Sequence, residues 1–263
     1  MNSWSGTDAT GEALKSEPGV RVFASAEDLA RAAAEDCLRL ALEAVAARDL
    51  FSVALAGGST PKRLYALLAG DHENFFRTRF PWEKTHFFWG DERHVPPDHP
   101  DSNYRMAFET MLSKVPVSPS HLHRIEGETT DASEAAASYE QDLVQHFHLS
   151  PGAWPQFDLA LLGLGPDGHT ASLFPDTDVL DEAARLAAAV WVPKFQASRI
   201  TLTAPLLSRA SRILFLVSGK DKSEALRAVL CGEFRPHRFP AQLIRPLQGG
   251  LHWLADREAA SLL

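Results

Sequence analysis

The sequence predicts an α/β fold, in which a single domain holds a mostly parallel, Rossmann-like open sheet flanked by helices, with short closing strands near the C-terminus. Continuous apolar runs such as residues 51–56 and 212–218 have the pattern of strands that are buried on both faces. Segments with helical spacing of apolar residues alternate with these runs. Because no Gly/Ser-rich linker divides the 263 residues, we expect one domain over 20–263, preceded by a disordered leader at 1–19.

The predicted strands are short runs rich in apolar and β-branched residues, bounded by turn-forming residues. In chain order they are 20–23, 51–56, 85–90, 157–162, 187–192, 199–203 and 212–218, with the short closing strands at 241–244 and 251–255.

The predicted helices lie between these strands, at 25–49, 61–69, 102–112, 131–148 and 222–230. Ser25 starts the first, with Asp28 three positions later, which is close to a capping box. Pro61 suits the first turn of the second helix because it has no N–H to leave unpaired. Ser102 is the predicted N-cap of the third.

Composition excludes several classes of function. The formal net charge is −8 without a basic stripe, so nucleic acid is not an expected partner, whereas a small anionic substrate needs only local cations. No run approaches 18 apolar residues and the leader lacks a secretory apolar core, which predicts no membrane span and no secretion. Cys37 and Cys231 lie in apolar surroundings and predict buried free thiols, as in a cytoplasmic protein.

Three predicted strands end in turns rich in glycine and polar residues, at 57–60, 90–93 and 163–170. Ligands of open α/β sheets bind beyond the carboxyl ends of the strands. The three turns therefore predict one pocket.

The first turn consists of Gly57, Gly58, Ser59 and Thr60 and opens a helix. Its N–H groups and hydroxyls are suited to binding a phosphate, helped by the helix dipole. A tight turn with a Ser or Thr cap explains the same residues equally well.

In the second turn, Asp91 and Arg93 are expected to share one side of an extended segment, with Glu92 on the other. Arg93 is suited to a bidentate contact with a phosphate or carboxylate. Taken alone, the segment is better explained as a surface salt-bridge cluster.

The third turn contains the pattern G-x-G-x-x-G, formed by Gly163, Gly165 and Gly168. A dinucleotide site would need a long helix after the third glycine and an acidic residue at the end of the next strand. Here Pro175 stops any helix within about two turns, and Lys194 follows the next strand. Nicotinamide binding is therefore disfavoured, and no cofactor is predicted.

We expect these glycines to allow a sharp strand-to-helix turn that presents Asp167 and His169 at the sheet edge. Imidazole titrates near neutral pH and is suited to general-base catalysis, with a nearby carboxylate to fix its tautomer. A purely structural histidine is the alternative.

Lys220 and Lys222 stand at a predicted helix N-terminus, where the dipole disfavours cations, so we expect at least one of them to bind an anion. Exposed lysines are the alternative. The histidine pairs at 121/123 and 146/148 have no cysteine or carboxylate set to complete a metal site, and no metal is predicted.

Five fragments, taken in order, closely resemble the 6-phosphogluconolactonase family, part of the glucosamine/galactosamine-6-phosphate isomerase superfamily. They are "ALAGGSTP", "FFWGDERHVPPDHPDSNY", "LLGLGPDGHTASLFP", "RITLT" and "GKDKSEALRAVL". The likeness covers about residues 20–257 and leaves out the leader.

The resemblance implies a lactonase-type domain that hydrolyses 6-phospho-D-glucono-1,5-lactone in the oxidative pentose phosphate pathway, without metal or cofactor. It implies that His169 is the catalytic base and that Arg93 and Lys222 contact the phosphate or the rest of the substrate. The turn at 57–60 and Asp167 also match the family's site motifs.

Two alternatives remain open. Glucosamine-6-phosphate deaminase/isomerase shares the Gly-Ser-Thr turn, but its D-G-H-I-A-F-N-E-P and D-E-Y motifs differ here, which favours the lactonase. A non-catalytic sugar-phosphate sensor usually carries a DNA-binding helix-turn-helix, for which the leader is too short.

Overall fold

The computed structural model describes residues 5–7, 13–15, 19–70 and 75–263. The described strands are β1 Ser5–Thr7, β2 Ala13–Lys15, β3 Val20–Phe23, β4 Phe51–Leu55, β5 Thr85–Trp89, β6 Asp91–Arg93, β7 Leu122–His123, β8 Leu159–Gly163, β9 Ala187–Val192, β10 Ala197–Leu202, β11 Arg212–Val217 and β12 Gly250–Asp256. The described α-helices are α1 Ala26–Arg48, α2 Ser59–Ala69, α3 Phe75–Arg79, α4 Asn103–Thr110, α5 Ala132–His146, α6 Ala204–Leu207 and α7 Ser223–Cys231. None of the described helices has the length and apolar character needed to span a bilayer.

Seven strands form the main sheet in the order β3-β12-β11-β8-β4-β5-β7, and each neighbouring pair is parallel. All five residues of β4 are buried, as expected of a strand covered on both faces. Helix α1 packs along β3, β4, β11 and β12. The predicted α/β fold, a mostly parallel sheet flanked by helices, is confirmed.

The predicted helix starts are confirmed where a side chain caps them. Ser25 Oγ accepts a hydrogen bond from Asp28 N at 3.1 Å, and Ser102 Oγ accepts one from Arg105 N at 3.1 Å. Helix α2 begins at Ser59, two residues before the predicted start at Pro61. Proline is tolerated there because the first turn of a helix lacks intrahelical N–H partners.

The predicted strands at 187–192 and 199–203 exist, but they do not belong to the parallel sheet. β9 and β10 pair antiparallel, and β10 also pairs antiparallel with β6, a strand that the sequence did not predict. A short turn, Pro193–Phe195, returns the chain between β9 and β10. Only an antiparallel pair can be joined by so short a connection.

The prediction of a closing strand at 241–244 is wrong, because Pro240–Leu243 form a 3₁₀ helix. The buried Gln242 side chain holds this turn: its Oε1 accepts from Arg235 N at 2.7 Å and its Nε2 donates to Glu233 O at 3.0 Å. The other predicted closing strand lies in β12, between β3 and β11. The leader predicted over 1–19 falls mostly outside the described residues, among which β1 and β2 pair antiparallel.

Two buried tyrosines fix the chain directly after β4 and at the end of β5. Tyr65, from α2, accepts a hydrogen bond from Ala56 N at 3.0 Å and donates to Ala56 O at 2.8 Å. Tyr139, from α5, accepts from Trp89 N at 2.9 Å and donates to Trp89 O at 3.1 Å. Each hydroxyl thus satisfies both backbone groups of a residue that immediately precedes a glycine of the predicted pocket.

Removing either hydroxyl should destabilise the protein measurably. In Tyr65→Phe or Tyr139→Phe a buried N–H and C=O lose their partner, so we expect the free energy of unfolding to fall by about 1–3 kcal/mol. Tyr104→Phe is the matched control, because that ring is half-buried and we expect a change within about 0.5 kcal/mol. Urea titration of the three variants measures the difference, and equal stability in all three would contradict the assignment.

The two cysteines differ in exposure. Cys37 is buried in α1, as predicted, whereas Cys231 ends α7 and is exposed, so the prediction of a buried thiol at 231 is wrong. Burial, with a smaller contribution from the charge of Asp36, raises the pKa of the Cys37 thiol far above its ordinary range. The Cys37 thiolate is therefore suppressed as well as inaccessible.

A thiol reagent should distinguish the two cysteines in the folded protein. We expect Cys231 to react rapidly with an aromatic disulfide, and Cys37 to react only when the chain unfolds. Cys231→Ser should remove the fast phase and Cys37→Ser should leave it unchanged. Two fast thiols in the native protein would show that Cys37 is accessible.

Candidate active site

The first turn presents backbone N–H groups at the carboxyl end of β4. Gly58 has φ +98°, in the region that favours glycine, and a Cβ on Gly57 would lie 2.0 Å from Asn103 Oδ1. No side chain caps α2, which starts at Ser59. The first N–H groups of α2 are therefore positioned to bind an anion, and the alternative of a Ser/Thr-capped turn does not describe this segment.

The second turn is linked to its neighbours through Asp91. This buried carboxylate accepts a hydrogen bond from Ser172 Oγ at 2.7 Å and one from Asn103 Nδ2 at 3.2 Å. Asn103 Nδ2 also donates to the Asp91 carbonyl at 2.9 Å. Asn103 thus contacts both the first and the second turn, while Ser172 belongs to the segment just after the third.

Glu92 faces away from this network and caps α4. Its carboxylate accepts hydrogen bonds from the backbone N–H groups of Arg93, Asn103 and Tyr104 at 2.7–2.8 Å, and from Ser102 Oγ at 3.0 Å. Burial raises the pKa of Glu92, against the opposing effect of these bonds. Among the described residues Arg93 has no carboxylate partner, and its guanidinium donates to the Asp101 carbonyl. The alternative of a salt-bridge cluster at 91–93 is therefore not what the structure shows.

The third turn is held by its own backbone. Gly165 N donates to His169 O at 2.8 Å, and Gly168 N donates to Gly165 O at 3.0 Å. A Cβ at Gly165 would lie 2.0 Å from His169 Nδ1, so this glycine makes room for the imidazole. The predicted helix after Gly168 does not form, and residues 170–173 make a turn closed by a Thr170–Leu173 bridge. Without that helix the G-x-G-x-x-G pattern lacks the N-terminus that a dinucleotide pyrophosphate requires.

His169 and Asp167 form a hydrogen-bonded pair, with 2.5 Å between His169 Nδ1 and Asp167 Oδ1. Asp167 Oδ2 accepts a second bond from Lys194 Nζ at 3.0 Å. Burial alone would raise the pKa of Asp167, but the bonds and charges of His169 and Lys194 outweigh it and hold that pKa far below its usual range. The ionised carboxylate favours a proton on Nδ1 and leaves Nε2 as the basic nitrogen of His169.

These elements meet at one cleft of about 220 Å³ beyond the carboxyl ends of β4, β5, β8 and β11. Eight of the nine predicted site residues line it: Gly57, Gly58, Ser59, Thr60, Asp91, Arg93, His169 and Lys222. Asp167, the ninth, contacts His169 from outside the lining. Of the two candidate lysines, Lys222 lines the cleft, next to Asp221 at 2.9 Å, whereas Lys220 is not part of the lining.

Sequence reasoning missed several residues of this region. Asn103 links the turns, and Lys194 supports Asp167. Arg199 stands directly opposite Arg93 in the β6–β10 register. Burial and then the charge of Arg93 lower the pKa of Arg199. No local signal in the sequence identifies Arg199, because its place opposite Arg93 depends on the pairing of two strands that lie far apart in the chain.

A family model described as Glucosamine-6-phosphate isomerases/6-phosphogluconolactonase matches residues 24–253. The chain belongs to this family. It is 44% identical to a 6-phosphogluconolactonase of Synechocystis over 221 residues, which cover 84% of this chain and 88% of that protein.

Solved structures of the family share the fold. The 6-phosphogluconolactonase of Trypanosoma brucei superposes with a TM-score of 0.82 at 29% identity, covering 94% of this chain and 99% of that one. A monomeric glucosamine-6-phosphate deaminase superposes with a TM-score of 0.76 at 25% identity, covering 93% and 99%. The fold is thus shared by a 6-phosphogluconolactonase and a glucosamine-6-phosphate deaminase.

The Asp167 carboxylate should matter for turnover more than for substrate affinity. In Asp167→Asn the amide cannot stabilise imidazolium, so we expect kcat to fall by about 10²–10⁴-fold with KM changed little. Lys194→Gln leaves the carboxylate in place and should cost about 10-fold or less. Steady-state kinetics separate the two, and equal losses in both variants would contradict the assigned role of Asp167.

Proposed function

We propose that this chain hydrolyses 6-phospho-D-glucono-1,5-lactone to 6-phospho-D-gluconate, the second step of the oxidative pentose phosphate pathway. The observation that carries the proposal is the His169–Asp167 pair at the rim of a cleft that also holds Arg93 and Lys222. The same cleft thus holds cations that suit an anion and a histidine suited to act as a general base. A lactone with a phosphate at the far end of the molecule needs both.

The phosphate is bound by the cations of the cleft. Arg93 and Lys222 line it, and Arg199 adds a third positive charge opposite Arg93. The N–H groups at the start of α2 supply further donors without adding charge. Arg93 and Arg199 repel one another, and a dianionic phosphate bound beside them would offset that repulsion.

His169 acts on water. Its Nε2 accepts a proton from a water molecule as the water oxygen attacks the lactone carbonyl carbon, forming a tetrahedral oxyanion. The C–O bond to the ring oxygen then breaks, and His169 returns the proton to that oxygen. The ionised Asp167 stabilises the imidazolium between these two transfers.

The oxyanion needs hydrogen-bond donors. In the third turn the N–H groups of Gly165 and Gly168 already bond to His169 O and Gly165 O. The oxyanion donors are therefore not those of the third turn, and the N–H groups at the start of α2 are kept for the phosphate.

We also infer a cytoplasmic location and a reaction that needs no cofactor. The two unpaired cysteines support the location, because reducing compartments keep thiols free. Every proposed catalytic step uses side chains and backbone groups of the described chain.

The decisive test is a pH-stat assay on freshly prepared lactone, with spontaneous opening subtracted. His169→Asn should lower kcat by about 10²–10⁴-fold, because the general base is lost. His148→Asn is the matched control: that histidine is exposed at φ +50°, a conformation asparagine adopts readily, and we expect wild-type turnover. Near-normal kcat in His169→Asn would refute the assigned base.

Two other outcomes would change the proposal itself. Release of ammonia from glucosamine 6-phosphate would favour the activity for which the monomeric deaminase of similar fold is named. Tight binding of 6-phosphogluconate without lactone turnover would favour a sugar-phosphate sensor. Calorimetry with the product, beside the pH-stat assay, separates these cases.

A further inference from the structure

Four histidines gather on the far side of β5 from the cleft, in a group that we call the histidine cluster: His86, His121, His123 and His146. None of them lines the cleft. The His86 ring stacks on His121 with 4.1 Å between centroids and lies 4.4 Å from His146, and the His123 and His146 rings are 4.6 Å apart. The cluster joins β5, the edge strand β7 and the end of α5.

Three members present nitrogens to a common point. One ring nitrogen each from His86, His123 and His146 lies within 4.8 Å of the other two, and His86 Nδ1 is 3.0 Å from His123 Nε2. Nitrogens bound to one tetrahedral zinc ion, at 2.0–2.1 Å each, are about 3.3 Å apart. The His86–His123 pair, at 3.0 Å, is close to that spacing, and the His146 nitrogen lies within 4.8 Å of both.

A carboxylate orients one of the three. Asp142 Oδ2 lies 2.9 Å from His123 Nδ1 and favours the proton there, so that the lone pair is on Nε2. In the metal-free chain that lone pair accepts a hydrogen bond from His86 Nδ1, which an ion would replace. Metal-bound histidines generally have such a carboxylate or carbonyl partner on the other ring nitrogen. Asp142 and His146 are one turn apart on α5, so both face the cluster.

The three histidines that present nitrogens to the common point are all half-buried, as suits a site held within the fold rather than on an open surface. His121, the fourth member, packs on His86 and is not one of the three. The geometry of His86, His123 and His146 and the carboxylate behind His123 carry the inference.

We propose that His86, His123 and His146 bind one divalent transition-metal ion of the zinc class, with water as the fourth ligand. The ion would tie the two-residue edge strand β7 and the end of α5 to β5. This site lies apart from the cleft and does not rest on the proposed lactonase activity. The sequence alone predicted no metal, and nothing in it placed His86 beside the pairs at 121/123 and 146/148.

The test is calorimetric titration of metal-stripped, full-length protein with ZnCl₂, in a Cys231→Ser background that removes the exposed thiol. We expect one saturable Zn²⁺ per chain and a rise in melting temperature with Zn²⁺. Asp142→Asn keeps the packing but loses the carboxylate, and should weaken binding by about 10–100-fold. His146→Gln should weaken it further.

Two controls locate the site. His148→Gln changes an exposed histidine two residues beyond His146, and His169→Gln changes the cleft; both should bind Zn²⁺ as the parent does. Co²⁺ should give the intense visible absorption of a tetrahedral centre in the parent and lose it in His146→Gln. Absence of saturable binding, or equal affinity in the parent, Asp142→Asn and His146→Gln, would overturn the proposal and leave a neutral, stacked cluster.

Discussion

The hydrogen bonds that Tyr65 and Tyr139 make to Ala56 and Trp89 are the constraint on which the cleft depends. Each hydroxyl fixes the backbone of the last residue before a glycine turn. Tyr65 lies on α2 and Tyr139 on α5. A parallel sheet leaves the carboxyl ends of its strands without further ladder partners. The two tyrosines supply hydrogen-bond partners to Ala56 and Trp89, and this fixes where the chain begins the first and second turns.

A second set of contacts links the three turns that line the cleft to one another. Asn103 packs against Gly57 and bonds to Asp91, and Asp91 accepts from Ser172, three residues after His169. Asp91 lines the cleft, but both of its carboxylate oxygens are engaged by protein donors, so it acts here as a link between turns. Buried carboxylates are tolerated only when hydrogen-bonded in this way. The geometry of His169 relative to Arg93 therefore depends on residues that need not touch substrate.

The sequence predicted the features that depend on interactions between residues close together in the chain. Apolar runs, caps at Ser25 and Ser102 and the glycine turns identified the main sheet and the residues around the cleft, because each signal lies within a few positions. What it did not predict depends on contacts between segments: β6 needs the distant β10 beside it, and Pro240–Leu243 form a 3₁₀ helix whose Gln242 side chain bonds to the backbone of the preceding loop. Likewise, the histidine cluster draws His86, His123 and His146 from three elements, and no spacing rule joins them.

The chain places histidines in two contrasting environments. The charged and polar groups around each ring determine whether its positively charged form is favoured. At the cleft, His169 bonds to an aspartate whose ionised form is favoured first by His169 itself and then by Lys194, so the carboxylate can stabilise a positive charge on the imidazole. In the histidine cluster, His86 is partly withdrawn from water and is faced chiefly by other imidazoles, so its positive form is disfavoured. A proton carrier must change charge during each turnover, whereas a metal ligand must not. The cleft lies beyond the carboxyl end of β5, whereas His86 is the second residue of that strand, so the two groups of residues use different parts of the sheet.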